Sequence, residues 1–374
     1  MINPELKPKV TELLDKMVLR SKHNIGIWDG SFPDYYDRRQ KKWYMNGYWT
    51  EAFWPGIMWW LYLYSRDPFL RDTAEYMSKR IAAEKIDLKD HDLGFLFNCS
   101  CVLGYTLTGS SEFKEVAIKA ADRLSRRFNP RGNFIPAHGD VEHGDRRGYT
   151  IIDTIMNLRL LFWAHRMTGE QCFYDVGLKT AETILHANVR NDGSTYQVIW
   201  FDPDSGKIEG PGVHQGYNAD SCWSRGQAWG IYGFSWLYRQ TGDERFKEAA
   251  VRLANFFLRH LPEDKIAYYD LLDPRIPNVE RDSSASSIAV AGLLILASSG
   301  KGLERYKWFV QAEELLTALV KNSSDHLDST VEGGLLPHGC YFLSKDRGVD
   351  SELGFGDYYL VEALLRYYMF GILD

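Results

Sequence analysis

The chain has 374 residues, 45% of them apolar and 25% charged, with a net charge of −6. That is the balance of an ordinary globular protein with ample core, and the lack of a long basic run argues against nucleic acid as a partner. No apolar run reaches the roughly 18 residues that span a membrane, and five scattered cysteines offer no disulfide framework, so a reducing compartment, the cytoplasm, is expected.

In chain order, MINPELKPKVTELLDKM at 1–17 predicts an amphipathic helix and lacks the apolar core of a secretion signal. Six later runs are apolar or aromatic on nearly every face. They are WPGIMWWLYLYS at 54–65, LGFLFNCSCVLGYTL at 93–107, IIDTIMNLRLLFWAH at 151–165, GQAWGIYGFSWLYRQ at 226–240, SSIAVAGLLILASS at 286–299 and DYYLVEALLRYYMFG at 357–371. Helices of this kind are buried on all sides.

Between them lie helices with one wet face. Three share a start, TGSSEF at 108–113, TGEQCF at 168–173 and TGDERF at 241–246, with weaker copies near Leu70 and Phe309. After the third start, small or apolar residues recur at Phe246, Ala249, Ala250, Leu253, Ala254 and Phe257, one face of a helix. The Thr-Gly is a short hairpin connection, with Gly as the C-terminal cap. Six buried helices alternating with amphipathic ones predict an all-α (α/α)6 toroid, a single domain over 1–374. The segments 130–148, 191–224 and 326–356 leave room for short strands or a loop over the ring's mouth.

All inner helices of such a ring point the same way, so their N-termini meet at one mouth. The residues ahead of the inner runs are Trp49-Thr50-Glu51, Asp90-His91-Asp92, Thr150 with Asp153, Trp223-Ser224-Arg225, Arg281-Asp282-Ser283-Ser284 and Gly356-Asp357. Charges, indole rings and free helix N–H groups gathered there suit a polar, anionic ligand. The plainer reading is capping. Asp, Ser and Thr are preferred N-caps, and Thr150-x-x-Asp153 has the form of a capping box. Arg225 resists that reading, because a cation in the first turn opposes the helix macrodipole. It requires an anion, either a neighbouring Asp or a ligand carboxylate.

Asp92 and Asp153 stand on consecutive inner helices. Two acids at close range favour retention of one proton, so one can donate and its conjugate base can activate water. Cys222 with His338 and Cys340 is an alternative metal set, but its spacing matches no standard zinc motif, and no metal is expected. Trp59, Trp60 and Trp163 read as core; His165, His186 and His260 read as outer-helix surface.

HDLGFLF at 91–97, IIDTIMNLRLLFWA at 151–164, HQGYNADSCWSRGQAWGIYGF at 214–234, ERDSSAS at 280–286 and GDYYLVEALLR at 356–366 resemble unsaturated glucuronyl hydrolases, glycoside hydrolase family 88. The resemblance runs in order through most of the chain. It implies an (α/α)6 barrel with no metal and no cofactor. It implies a short oligosaccharide substrate ending in a 4,5-unsaturated uronic acid, opened by hydration of the ring vinyl ether. By motif match Asp153 would be the acid and base, with Asp92 binding sugar hydroxyls and helping to keep Asp153 protonated. His91, Gln215, Arg225 and Trp229 match positions that contact the unsaturated sugar, Arg225 as partner of its anion. Trp49 and Trp223 would supply stacking surfaces, and Tyr341 would line the site.

The chain also departs from the resemblance. Gln197 stands where relatives carry His, the loop 131–140 lacks an aromatic that some relatives place over the substrate and has His138 nearby instead, and the late loop 340–357 differs. Ser344-Lys345 in that loop would suit a sulfated second sugar, which leaves the parent polysaccharide open. Three rivals remain at this point. An unsaturated rhamnogalacturonyl hydrolase would share the chemistry on a pectin-derived substrate. A sugar epimerase would want paired His bases, for which only His91 and His214 qualify. A non-catalytic glycan-binding toroid would gain nothing from two mouth acids.

Overall fold

A computed structural model describes residues 3–28, 30–327 and 332–370. It contains helices α1 (Leu6–Ile25), α2 (Phe53–Ser65), α3 (Pro68–Lys85), α4 (Leu93–Phe97), α5 (Leu103–Thr108), α6 (Ser111–Ser125) and α7 (Thr154–Thr168). The series continues with α8 (Gln171–Ala187), α9 (Ser224–Thr241), α10 (Glu244–Arg259), α11 (Ser283–Ser299), α12 (Gly302–Leu327) and α13 (Gly354–Tyr368). A wide π turn at Asn98–Val102 joins α4 to α5, so the two act as one bent helix.

The alternation expected from the sequence is the alternation observed. α2, α4–α5, α7, α9, α11 and α13 form the inner ring, and α3, α6, α8, α10 and α12 pack outside them. The N-terminal helix α1 packs against α12, α13 and α2 and so closes the outer ring. Inner α9 and α11 bury nearly every residue, whereas outer α10 buries only the stripe from Phe246 to Phe257. The hairpin connections follow from local chemistry. Gly109, Gly169 and Gly242 each adopt a left-handed φ of 70–77°, where L side chains are strained, and each donates its N–H to the carbonyl four residues back.

Short strands do form in the loops. β1 (Pro33–Asp37), β2 (Lys42–Met45) and β6 (Glu352–Leu353) make one antiparallel sheet in the order β2-β1-β6. β3 (Tyr149–Ile151), β4 (Val198–Phe201) and β5 (Ile208–Gly212) make the other, in sequence order. Of the segment 326–356 expected to form part of the mouth, 328–331 lie outside the described residues. No helix among the described residues is long and apolar enough to cross a membrane. All five cysteines are free.

Candidate active site

One contact positions the mouth's two acids. Gly94, two residues after Asp92, lies so close to α7 that a Cβ there would sit 2.3 Å from the Asn157 Cα. The Phe95 N–H donates to Asn157 Oδ1 at 2.6 Å, and Asn157 Nδ2 donates back to the Asp153 carbonyl at 3.4 Å. A side chain at 94 would push the two helices apart. With Gly there, the N-termini of α4 and α7 sit together, and Asp92 and Asp153 line one cavity of ≈ 250 Å³.

Neither acid is a cap. Both occupy the residue before their helix, and neither side chain accepts a capping bond. The capping-box expectation fails for Thr150 too, whose hydroxyl donates to the Ile199 carbonyl within the second sheet. True caps occur elsewhere: Asp282 accepts from the Ser284 N–H, and Asp67, Ser110 and Asp243 cap outer helices. Capping therefore explains other mouth residues and leaves Asp92 and Asp153 unexplained.

The environment of each acid sets its proton affinity. Asp92 is 5% exposed and is held well above the ordinary carboxylate range, first by burial and then by Asp90 and Asp153. Burial would raise Asp90 too, but the 2.7 Å hydrogen bond between its Oδ2 and His138 Nδ1, together with the two neighbouring histidines and the Asp92 N–H, carries it down to about 2. Asp153 keeps an edge open to the cavity, while its Oδ1 is buried with no partner. Burial lifts Asp153 to about 6, against the lowering influence of Arg225. The expected dependence is thus refined: Asp153 holds its proton first through burial, and the proton shared between neighbouring acids belongs to the Asp90–Asp92 pair. His91, also wholly buried, falls to about 3 and is neutral; its Nδ1 lies 2.9 Å from Thr154 Oγ1 and its Nε2 3.4 Å from Asp92 Oδ1.

Of the residues singled out in the sequence, Asp92, Asp153, His91, Gln215, Trp49 and Tyr341 line this cavity. Trp49 stacks on Phe355 and donates from Nε1 to the Tyr341 hydroxyl at 2.6 Å, so indole and phenol form one wall. Three others do not reach it. Trp229 is fully buried between Phe95 and Tyr359. Trp223 is 2% exposed and lies beneath the Arg225 guanidinium, 4.5 Å from ring to cation, so it offers no stacking face to a ligand.

Arg225 is also fully buried. Its Nη1 donates to Asp282 and the Cys340 carbonyl, and its Nη2 donates to Gln215 Oε1 at 3.1 Å and to the Tyr341 carbonyl at 2.8 Å. The anion that this misplaced cation requires is therefore Asp282, a neighbouring side chain. Direct contact with a ligand anion, the expectation for Arg225, does not fit a guanidinium already spent on four acceptors.

The cavity also contains His138, Gln197, His214 and Lys345, which the sequence raised only as departures or in rival readings, and Tyr48, Phe342 and Arg347, which it did not single out. Tyr48 and Arg347 carried no signal, since a loop Tyr and a loop Arg are ordinary. Asp357, Thr50 and Glu51 are structural. Asp357 Oδ1 accepts from the Leu336 N–H, Thr50 donates to Asp34, and Glu51 pairs with Lys85.

Among the described residues, Asp90, His91, Asp92 and His138 are the one group of His, Cys and acidic side chains close enough to share a metal ion. Part of the group is engaged, Asp90 with His138 and the Asp92 N–H and His91 Nδ1 with Thr154, while His91 Nε2 has no hydrogen-bond partner. Cys222, His338 and Cys340 form no such group. Cys222 Sγ donates to Gln227 Oε1, and His338 pairs with Asp350. His165, His186 and His260 stay out of the cavity, as expected.

The geometry can be set beside known proteins. An unsaturated chondroitin disaccharide hydrolase of Streptococcus pneumoniae is 35% identical over 97% of this chain and 92% of its own length. The crystal structure of an unsaturated glucuronyl hydrolase from Bacillus sp. GL1 superposes with a TM-score of 0.91 at 33% identity, covering 97% of this chain and all of that one. A variant of the Streptococcus agalactiae enzyme complexed with dGlcA-GalNAc6S gives a TM-score of 0.82 at 31% identity, over 97% of this chain and 92% of that one. A family-wide profile described as Glycosyl Hydrolase Family 88 matches residues 28–371. With a six-hairpin ring of this shape and an acid pair at its mouth, the chain belongs to glycosyl hydrolase family 88.

Proposed function

We propose that the protein removes a 4,5-unsaturated glucuronic acid from the non-reducing end of short, lyase-generated oligosaccharides of glycosaminoglycan type. One observation carries this reading. Two carboxyls that cap no helix, one buried and one half-buried, face one cavity, and Asp153 holds its proton up to about pH 6 with no protein group bonded to its Oδ1. A general acid works best when its pKa lies near the working pH.

The C4=C5 π electrons take the Asp153 proton, forming the C4–H bond and leaving cationic character shared by C5 and the ring oxygen. Water adds to C5, and its proton returns to the Asp153 carboxylate. The hemiketal opens by breaking the bond from C5 to the ring oxygen, giving a ketone at C5. The hemiacetal left at C1 then collapses to an aldehyde and releases the second sugar. Asp92, protonated, donates to a sugar hydroxyl, and the Trp49–Tyr341 wall supplies the apolar face against which a ring packs.

Lys345 and Arg347 stand on the same cavity wall, and Arg347 is tied to Asp34 at 2.7 Å. That leaves Lys345 as the cation available to a sulfate on the second sugar, in keeping with the sulfated ligand in the Streptococcus agalactiae structure. Free cysteines support a reducing, cytoplasmic setting.

The conjugated C4=C5 carboxylate absorbs ultraviolet light, and hydration abolishes the absorbance. Wild type should bleach an unsaturated chondroitin disaccharide, and Asp153→Asn should lose about 10³-fold or more of the rate, the scale of a removed general acid. Persistent absorbance with wild type across sulfated and unsulfated disaccharides would refute the reading.

A further inference from the structure

Two glutamine side chains line the cavity with their carbonyl ends already committed. Gln197 is 6% exposed, and its Oε1 accepts three backbone N–H groups, from His214 at 2.9 Å, Gln215 at 2.8 Å and Gly216 at 3.0 Å. Gln215 is 9% exposed, and its Oε1 accepts from Arg225 Nη2. These donors fix which way each amide faces, because three N–H groups cannot point at an NH2. Each Nε2, with its two N–H donors, is left as the unspent end of a side chain on the cavity wall.

The backbone puts Gln197 beside the reacting acid. Its carbonyl accepts the Ile152 N–H at 2.9 Å, one residue before Asp153, where β3 and β4 begin to pair. The substrate group with lone pairs to spare there is the carboxylate on C5, next to the carbon that water attacks. Arg225 is closed off, and Arg347 is paired with Asp34.

We propose that Gln197 is a substrate-binding residue of this reaction, its Nε2–H donating to the carboxylate of the unsaturated uronate alongside the Nε2–H of Gln215, with Arg225 acting behind Gln215 as a positioning residue. This rests on the function proposed above. The arrangement has a physical use. A guanidinium bare in the cavity would pull the Asp153 proton affinity down, the direction in which Arg225 already acts on it. Neutral amides bind the anion without adding a full positive charge beside the acid. The bond from Arg225 to Gln215 Oε1 polarises that amide and strengthens its N–H donors.

Gln197→Glu separates the two roles of the side chain. One carboxylate oxygen still accepts the three backbone N–H groups, and the donor is gone. In the absorbance assay, the expected result is a KM raised about tenfold or more with the melting temperature preserved; tenfold corresponds to about 1.4 kcal/mol, the scale of one charge-assisted hydrogen bond. An unchanged KM with the melting temperature preserved would make Gln197 a prop for residues 214–216 only and overturn the proposal.

A second measurement does not depend on how Gln197→Glu folds. In a crystal of Asp153→Asn soaked with an unsaturated disaccharide, Gln197 Nε2 should lie about 3 Å from a carboxylate oxygen. A carboxylate turned to Lys345 or Arg347 instead would overturn the proposal. If wild type bleaches no disaccharide at all, the functional reading fails. If wild type works and Gln197→Glu matches it, only the Gln197 assignment fails.

Discussion

Two buried polar regions of the barrel are built from the same residue types and behave differently. At the mouth, Asp92 and Asp153 are enclosed with no cation in hydrogen-bond contact, and both hold their protons more tightly than an ordinary carboxyl. About two turns further down the inner helices, Glu362 accepts from the Tyr232 hydroxyl at 2.7 Å and from Arg366 at 2.8 Å, and Arg159 stacks over the Tyr232 ring at 5.2 Å. The Arg225–Asp282 pair beside the cavity follows the deeper pattern. Glu362, matched by an arginine, ties α13 to α9 through Tyr232, whereas Asp153, with no cation bonded to it, keeps a proton it can give away. Side-chain identity does not distinguish the two; burial and the neighbouring groups do.

The sharpest way to break this contrast is to take the cation from a matched pair. Arg225→Met leaves Asp282 buried and unmatched, and removing one partner of a buried pair costs about 3–5 kcal/mol. Urea unfolding should show that loss, with Asp282→Asn in the same chain restoring part of it. An Arg225→Met chain as stable as wild type would mean that the pair is not what stabilises this wall.

The converse substitution sharpens it. Asp153 is raised from 3.8 to about 6 by folding. The stability it contributes is therefore fully present below pH 3.8 and lost as pH rises through about 6. Two units correspond to at most about 3 kcal/mol. Asp153→Asn should thus gain stability relative to wild type between pH 4 and pH 8, read as a growing difference in melting temperature. A difference that stays constant with pH would place Asp153 in a wetter environment than its burial implies.

The smallest effect concerns the neighbouring pair. Asp90 raises Asp92, so Asp90→Asn should let Asp92 ionise at lower pH. A carbon-13 carboxyl titration reads this directly. An unmoved Asp92 would assign its shift to burial and Asp153.

Much of the ring was legible in the sequence, because a helix that is apolar all round can only be an inner one and a Thr-Gly start can only end a hairpin. The outer position of α1 was less so, since an amphipathic helix does not say which neighbours it covers. At the mouth, helix polarity placed Asp92 and Asp153 together. What the sequence left open depends on side-chain direction. Trp223 precedes an inner helix just as the two acids do, and Arg225 and Trp229 lie in that helix's first two turns, yet all three turn into the wall and not into the cavity. The Asp90–His138 bond joins residues 48 positions apart, and nothing local to either announces it. The anion that Arg225 required was open between a ligand and Asp282, and only the fold chose Asp282.

The account depends on a proton held by Asp153 at the pH of the reaction. Measuring kcat for absorbance loss on an unsaturated chondroitin disaccharide from pH 4 to pH 9 tests it most directly. The account predicts a rate that falls as pH rises through about 6, with no such limb left in the residual rate of Asp153→Asn. A rate that stays level or climbs between pH 5 and pH 8 would contradict it.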